Sequence, residues 1–379
     1  MTTTRIARAE LFELALPLLE PFVISGGTMT ERRSLIVVLH DDTGHVGYGE
    51  CPPFELPFYS EETLAGARDM IARVLLPRVV GHEFAGPEAV DAVLREGVRG
   101  NWFARAGVET AAWDLEANTR GTGLATLLGQ QLGVAPSASV ACGVALGIPP
   151  DRDPAELTRS VYDAVRHGYA RVKIKVAPGW DVDAVRAARK GLEGSDLPLT
   201  VDANGAYEWP RDASALRALD DCGLLYIEQP LHPDELVGHA RLGETLRTPI
   251  CLDETLRDAR AARQIIALNG PKVWNIKVHR VGGLSEVCRI YRLAAEYGAK
   301  LWAGTMPESG IGSQGALAAA ALPLFVYPSD LEPSARWFGR NGDVIKLTMG
   351  RGGRIAVPQQ SCGRLLDPGR FRLLTTPVL

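Results

Sequence analysis

The chain has 379 residues, 46% hydrophobic and 23% charged, which suits one large domain and a smaller one with ordinary cores. A net charge of −4 supplies no polybasic surface for nucleic acid or an anionic membrane, and no apolar run approaches a membrane span. The six cysteines are scattered without a CxxC pair, as small buried hydrophobes in a reducing compartment would be, so a soluble cytoplasmic protein is expected.

Residues 1–60 read as antiparallel. "RIARAELFELAL" and "RRSLIVVLHDDTGHVGYGE" are strand-like, and "DDTG" supplies a turn. Helical patterns follow at about 60–79, 87–97 and 102–118. From about 138, short apolar runs alternate with amphipathic helical stretches: "SVACGVALG", "ARVKIKV", "LPLTVDAN", "LLYIEQP", "PICLDE", "KVWNIKV", "AKLWAGT" and "LFVYPS". Eight strands with seven helices between them predict an α/β fold with a parallel sheet closed into a barrel, the doubly wound open sheet being the alternative. The expected division is an α+β domain over 1–130, the barrel over 131–340, and a segment over 341–379 whose "DVIKLTM" and "GRIAVP" return to the first domain.

Alternate residues of a strand share a face. In "RVKIKV", Val172, Ile174 and Val176 oppose Lys173 and Lys175; in "LTVDAN", Leu199 and Val201 oppose Asp202 and Asn204. Glu228, Asp253 and Lys277 likewise stand opposite apolar neighbours at the ends of the next three strands. In a barrel the apolar face packs on the helices and the other faces the bore, whose C-terminal mouth carries chemistry. Asp202, Glu228, Asp253 and Lys277 are spaced by 26, 25 and 24 residues, one βα unit per step, so the three carboxylates are expected at one height.

Three adjacent carboxylates repel one another unless a cation sits among them, and an all-oxygen set suits a hard ion, Mg²⁺ before Mn²⁺ or Ca²⁺. Such an ion can take an oxygen of a substrate carboxylate as a Lewis acid. Removal of the weakly acidic α-proton then requires positive charge held ready for the enediolate and a base that is unprotonated near neutrality. Lys175, beside Lys173, is the candidate base; Lys277, across the bore, is a second base or a cation beside the intermediate. Glu254 and Asn204 are candidates to support the metal, and His279 is expected in an exposed loop.

The motifs "KIK", "VDAN", "IEQP", "CLDET" and "NIKVHRVGG" resemble the consecutive motifs of the enolase superfamily, in its muconate-lactonising branch, over essentially the whole chain. The resemblance implies an α+β capping domain and a (β/α)7β barrel. It implies Asp202, Glu228 and Asp253 as Mg²⁺ ligands, Lys175 and Lys277 as the acid/base pair, and Lys173 as a contact to the substrate carboxylate. It further implies that loops at about 20–30 and 51–60, with Phe22, Ser25 and Tyr59, close over the pocket. Asn204, Thr305, Met306, Glu308 and Ser309 are placed beside the substrate.

Within the branch, "PGWDVDAVRAAR", "TPICLDET", "IKVHRVGG" and "SDLEPSARWF" are most similar to o-succinylbenzoate synthases that also racemise N-acylamino acids. The first activity is a syn β-elimination of water in menaquinone synthesis, and the second is a 1,1-proton transfer using both lysines. The expected partner is a small carboxylate substrate, and a homo-oligomer is expected. "AGTMPESGIG" departs from the subgroup and resembles muconate cycloisomerases, while "SDLE" resembles the acidic pair of dipeptide epimerases.

Two distant alternatives exist. "GIGSQG" at 310–315 fits GxGxxG, but a dinucleotide site needs a further βαβ unit and an acid about 20 residues on, and Asp330 comes too early. A Schiff-base lysine, as in barrel aldolases, leaves the three carboxylates without a role.

Overall fold

The computed structural model describes residues 3–24, 27–340 and 342–379, without the side chains of residues 21–24, 27 and 28. Ser25, and the side chain of Phe22, lie outside the described residues.

Strands Thr4–Ile24, Gly27–Asp41 and Val46–Cys51 form an antiparallel sheet whose alternation separates two cores. Leu35, Val37 and Leu39 pack on the helices Leu64–Met70, Pro87–Arg95 and Trp102–Thr119, whereas Ile36 and Val38 face Phe338, Val344, Ile345 and Phe371 of the C-terminal segment. Burying both faces turns a marginal meander into a rigid cap.

The barrel strands are Gly143–Leu146, Arg171–Lys175, Leu199–Asp202, Ile227–Glu228, Ile250–Leu252, Val273–Ile276 and Lys300–Ala303, parallel and paired in sequence order. The eighth expected strand is reduced to isolated bridges. Val326 N–H donates to Leu301 O (3.0 Å) and Gly143 N–H to Ser329 O (2.7 Å), so this segment joins the seventh strand to the first. A helix follows each of the seven strands, and Trp274, Ile276, Val201 and Ile174 lie in the core between sheet and helices as the period-two reading requires.

Three local expectations are corrected. Helix Leu124–Leu132 was not anticipated, although Gly123 and the left-handed Gly133 bracket it. "DVIKLTM" is strand only from Met349. Arg354–Ala356 pairs with Ser139–Ala141 beneath the barrel, because Ile355 and Val357 bury in the barrel core. The return to the capping sheet is made by Val344 and Ile345, which pack on Ile36 and Val38, and by Thr375–Pro377, which pairs beside the first strand. Among the described residues no helix is long and apolar enough to cross a membrane.

Candidate active site

The second barrel strand turns Arg171 and Lys173 into the bore. Arg171 is fully buried, bonds the Tyr226 hydroxyl and the Asp330 carboxylate, and lies 4.7 Å over the Trp302 ring. Above it, Lys173 Nζ is 2.6 Å from Asp330 Oδ2, 3.0 Å from Glu228 Oε2 and 3.5 Å from Asp202 Oδ2. Burial alone would push this ammonium's pKa down, but Asp330, Glu228 and Asp202 outweigh it and hold the value above the ordinary lysine range. Lys173 is therefore a fixed positive charge. Asp330, which holds it, entered the sequence reading only through "SDLE" and as an acid too early for a dinucleotide site, and Arg171, which anchors Asp330, was not singled out. The available signal was Arg171 sharing a face with Lys173.

Asp202, Glu228 and Asp253 are all buried at the ends of three consecutive strands. Asp202 pairs with Glu228 in register, but Glu228 pairs with Cys251, so Asp253 sits two residues further along rather than level. Strand tilt in a closed barrel imposes that stagger. Gln229, also missed, fixes the approach to Asp253: its Oε1 accepts the N–H groups of Asp253 (2.9 Å) and Thr255 (3.2 Å). Burial works to raise the Asp202 carboxyl, but Lys175 and Lys173 hold it well below the usual range. Glu228 is raised, by burial and then by the charge of Asp202.

Among the described residues no three Asp, Glu, His or Cys side chains converge closely enough to hold an ion as they stand, since ammonium groups lie between the carboxylates. The donor set nevertheless fits a hard cation. It is all oxygen, it comes from adjacent strands, and both oxygens of Asp253 lack a hydrogen-bonding partner of good angle although Lys277 and Arg280 approach them. A cation would replace those side chains as the counter-charge.

The two candidate bases sit on opposite sides of this row. Lys175 Nζ is 2.6 Å from Asp202 Oδ2 and 2.5 Å from Asn204 Oδ1, and Asn204 Nδ2 donates to Glu254 Oε1 at 2.9 Å. Lys277 Nζ is 2.9 Å from Asp253 Oδ2, donates to the Tyr59 hydroxyl at 2.8 Å, and lies 4.6 Å over the Tyr59 ring. Burial would lower Lys277, but Tyr59 and Glu254 raise it beyond the ordinary value. The fall in pKa expected of a lysine base is thus not built into Lys277 by the protein's own groups. Gly304 approaches Lys277 so closely that a Cβ there would lie 2.9 Å from Lys277 Cε.

Around them, Arg280 pairs with Asp253 and donates to Asn275 O at 2.8 Å, and Asn275 Nδ2 donates to Glu228 Oε1 at 2.8 Å. Thr305 Oγ1 donates to Asp330 O at 3.0 Å, and Met306 packs into the capping core. Glu308 and Ser309 point to the domain interface rather than to the carboxylate row. Glu308 Oε2 accepts Met306 N–H at 2.5 Å, and Ser309 Oγ donates to Glu50 Oε2 at 2.5 Å. His279 is not exposed. It lies in the short helix Val278–Val281 at 2% exposure, where burial first and Arg32 second push its pKa down to about 3.

"GIGSQG" is the first half of helix Gly310–Ala320, and its N-terminus is filled by carboxylates. Glu50 accepts from Ser309 and Gly312 N–H, and Asp343 accepts from Gly310 N–H. A Cβ at Gly310 would fall 1.9 Å from Ile345 O, so no pyrophosphate has room there.

Residues 7–129 match the family described as mandelate racemase / muconate lactonizing enzyme, N-terminal domain, and residues 156–363 match that described as enolase C-terminal domain-like. The chain is similar to an o-succinylbenzoate synthase of Bacillus subtilis, at 39% identity over 88% of this chain and 86% of that protein. It is 40% identical to an N-succinylamino acid racemase of Thermus thermophilus, over 94% of this chain and 93% of the relative. A solved enolase-superfamily structure from Listeria innocua superposes with a TM-score of 0.91 at 34% identity, covering 98% of each chain. On these matches and on the fold, the chain belongs to the enolase superfamily, in its mandelate racemase / muconate lactonizing group.

Proposed function

We propose that this chain removes a proton α to a substrate carboxylate, with Lys175 and Lys277 as the acid/base pair on opposite faces of the α-carbon. Asp202, Glu228 and Asp253 hold a divalent cation, Mg²⁺ in the first instance and Mn²⁺ in the second. One observation carries the reading: two ammonium groups flank a row of buried carboxylates contributed by three successive barrel strands. The similar relatives named above support a succinyl-bearing carboxylate as the substrate. The reaction is formation of o-succinylbenzoate, racemisation of N-succinylamino acids, or both, in a reducing cytoplasm that keeps the six cysteines as thiols.

Five basic side chains (Arg171, Lys173, Lys175, Lys277, Arg280) face five carboxylates (Asp202, Glu228, Asp253, Glu254, Asp330). Bound among them, a divalent cation would supply Lewis-acid stabilisation of charge on the substrate carboxylate and weaken the lysines' hold on their protons. Lys173, pinned by Asp330, places a constant positive charge beside the developing enediolate. Lys175 takes the α-proton from one face. Lys277 then returns a proton from the other in racemisation; in elimination it steadies the enediolate while the proton taken by Lys175 passes to the β-hydroxyl on the same face, which leaves as water. Tyr59 covers Lys277 and keeps bulk water from it.

A dipeptide substrate is less well served. Asp330 is occupied by Arg171 and Lys173, and Glu332 is paired with Arg336, so neither is free for a substrate ammonium.

Proton NMR in D₂O tests the reading with N-succinylamino acids, dipeptides and the cyclohexadiene precursor of o-succinylbenzoate. Exchange of the α-proton of an N-succinylamino acid, or loss of water from the precursor, is expected. Both should be abolished by chelation and restored by Mg²⁺. Full activity in excess EDTA would overturn the metal assignment.

A further inference from the structure

Arg32, in strand Gly27–Asp41, is 3% exposed, and among the described residues it makes no ion pair. Its donors go to backbone carbonyls instead. Nε donates to Met306 O (3.3 Å) and Pro307 O (3.2 Å), and Nη2 donates to Met306 O (3.2 Å) and to Pro52 O. Nη1 donates to Pro53 O (3.2 Å) and Arg33 O (2.5 Å), and the Phe54 ring covers the guanidinium at 4.8 Å. A buried charge is tolerated only when its donors are met, and here, apart from Arg33 O of its own strand, the acceptors come from two separate loops. One is the capping loop beginning at Pro52; the other is the loop after the seventh barrel strand.

Both loops lead to the same side chain. The capping loop runs on to Tyr59, whose hydroxyl and ring face meet Lys277 Nζ. The barrel loop starts at Gly304, where a Cβ would meet the Asn275 amide and, at 2.9 Å, Lys277 Cε. Lys175 is held otherwise: its partners, Asp202 and Asn204, belong to the third barrel strand and the turn after it.

We propose that Arg32 is a positioning residue for Lys277, locking the two loops that enclose that lysine so that proton transfer on its face, and not on the Lys175 face, depends on the domain interface. The proposal rests on the two-lysine reading above. Lysine at position 32 would have three donors on a flexible stem and could not span both loops as the planar fork does.

The test compares Arg32→Met and Arg32→Lys with wild type in D₂O, following α-proton exchange of each enantiomer of an N-succinylamino acid separately. Lys277→Ala and Lys175→Ala identify which enantiomer depends on which lysine. Because small misplacements of a reacting group are costly, Arg32→Met should lower exchange of the Lys277-dependent enantiomer at least about tenfold, with the other changed less than about threefold. Arg32→Lys should recover part of the loss. Equal losses for both enantiomers, or none, would overturn the proposal.

If wild type exchanges neither enantiomer, the two-lysine reading fails, and the clamp is judged by amide hydrogen exchange. Faster exchange in 52–63 and 304–310 together, with the barrel strands unchanged, is expected in Arg32→Met, or in Arg32→Lys should the former not fold. Unchanged protection in either loop overturns the clamp.

Discussion

The surroundings of Lys175 and Lys277 differ in origin. Lys175 has about a third of its side chain exposed (32%), and its partners Asp202 and Asn204 come from the adjacent barrel strand and the turn after it. Lys277 is 11% exposed and is enclosed by Tyr59 from the capping domain, by Asp253 from the neighbouring strand, and by Gly304. One lysine is placed by strand register. The other is placed by the packing of two domains. On the proposed two-lysine reading, matched chemistry on two faces of one carbon would be achieved by unlike means, and the two faces should respond differently to the same kind of damage.

Removing either lysine gives the largest effect. Lys175→Ala and Lys277→Ala should each reduce racemisation by about 10³-fold or more, as loss of a positioned acid/base group does. Circular dichroism should show an intact fold for both. Near-normal kcat in either would dissolve the comparison, because one lysine would then suffice for both faces.

Tyr59→Phe keeps the ring over Lys277 but removes the 2.8 Å hydrogen bond. A loss of about threefold to tenfold is expected in kcat for racemisation, since one hydrogen bond to a charged group contributes about 1.5 kcal/mol or somewhat less in a half-exposed setting. Exchange from the Lys175 face should be untouched, and an equal loss there would break the distinction.

A third effect, on stability and not on turnover, concerns the segment after Lys277. Glu109, on the capping helix Trp102–Thr119, accepts the N–H groups of Leu284 (2.8 Å) and Ser285 (2.7 Å) at the start of helix Leu284–Tyr297. A Cβ at Gly283, with φ of +116°, would lie 2.1 Å from its carboxylate. Burial first, then the charge of Asp91, pushes the Glu109 pKa up to about 7.

A folded value above the unfolded one contributes stability fully present below about pH 4.5 and lost as pH rises through about 7. Thermal melts between pH 5 and 8 should therefore show wild type losing stability relative to Glu109→Gln, by about 3 kcal/mol at most. A pH-independent difference would show that this contact does not titrate on unfolding.

The barrel and its three carboxylates were legible in the sequence because each strand repeats one pattern: an apolar face on the helices and a charge at the mouth. The pattern is local, so Asp202, Glu228 and Lys175 could be read two residues at a time. What joins the domains was not legible. Arg32, Glu109 and Glu50 sit in segments whose own periodicity says only strand or helix, and their partners lie far along the chain. His279 shows the same limit: the turn after Lys277 reads as loop, yet the capping helix covers it. The Asp253 stagger was missed because equal spacing in sequence does not encode strand tilt.

The bare backbone at Gly304 has a consequence for how the two proposed reactions would be combined in one site. Elimination needs a base on one face only, whereas inversion needs both, and the missing side chain leaves the room that Asn275 and Lys277 occupy. A single added methyl, Gly304→Ala, would press first on the Asn275 amide that holds Glu228 and then on the Lys277 stem. Its signature would be a rise in the ratio of dehydration to racemisation, and an unchanged ratio would show that Lys277 has slack to spare. On the proposed two-lysine reading, position 304 would in that sense divide two catalytic repertoires by one carbon atom.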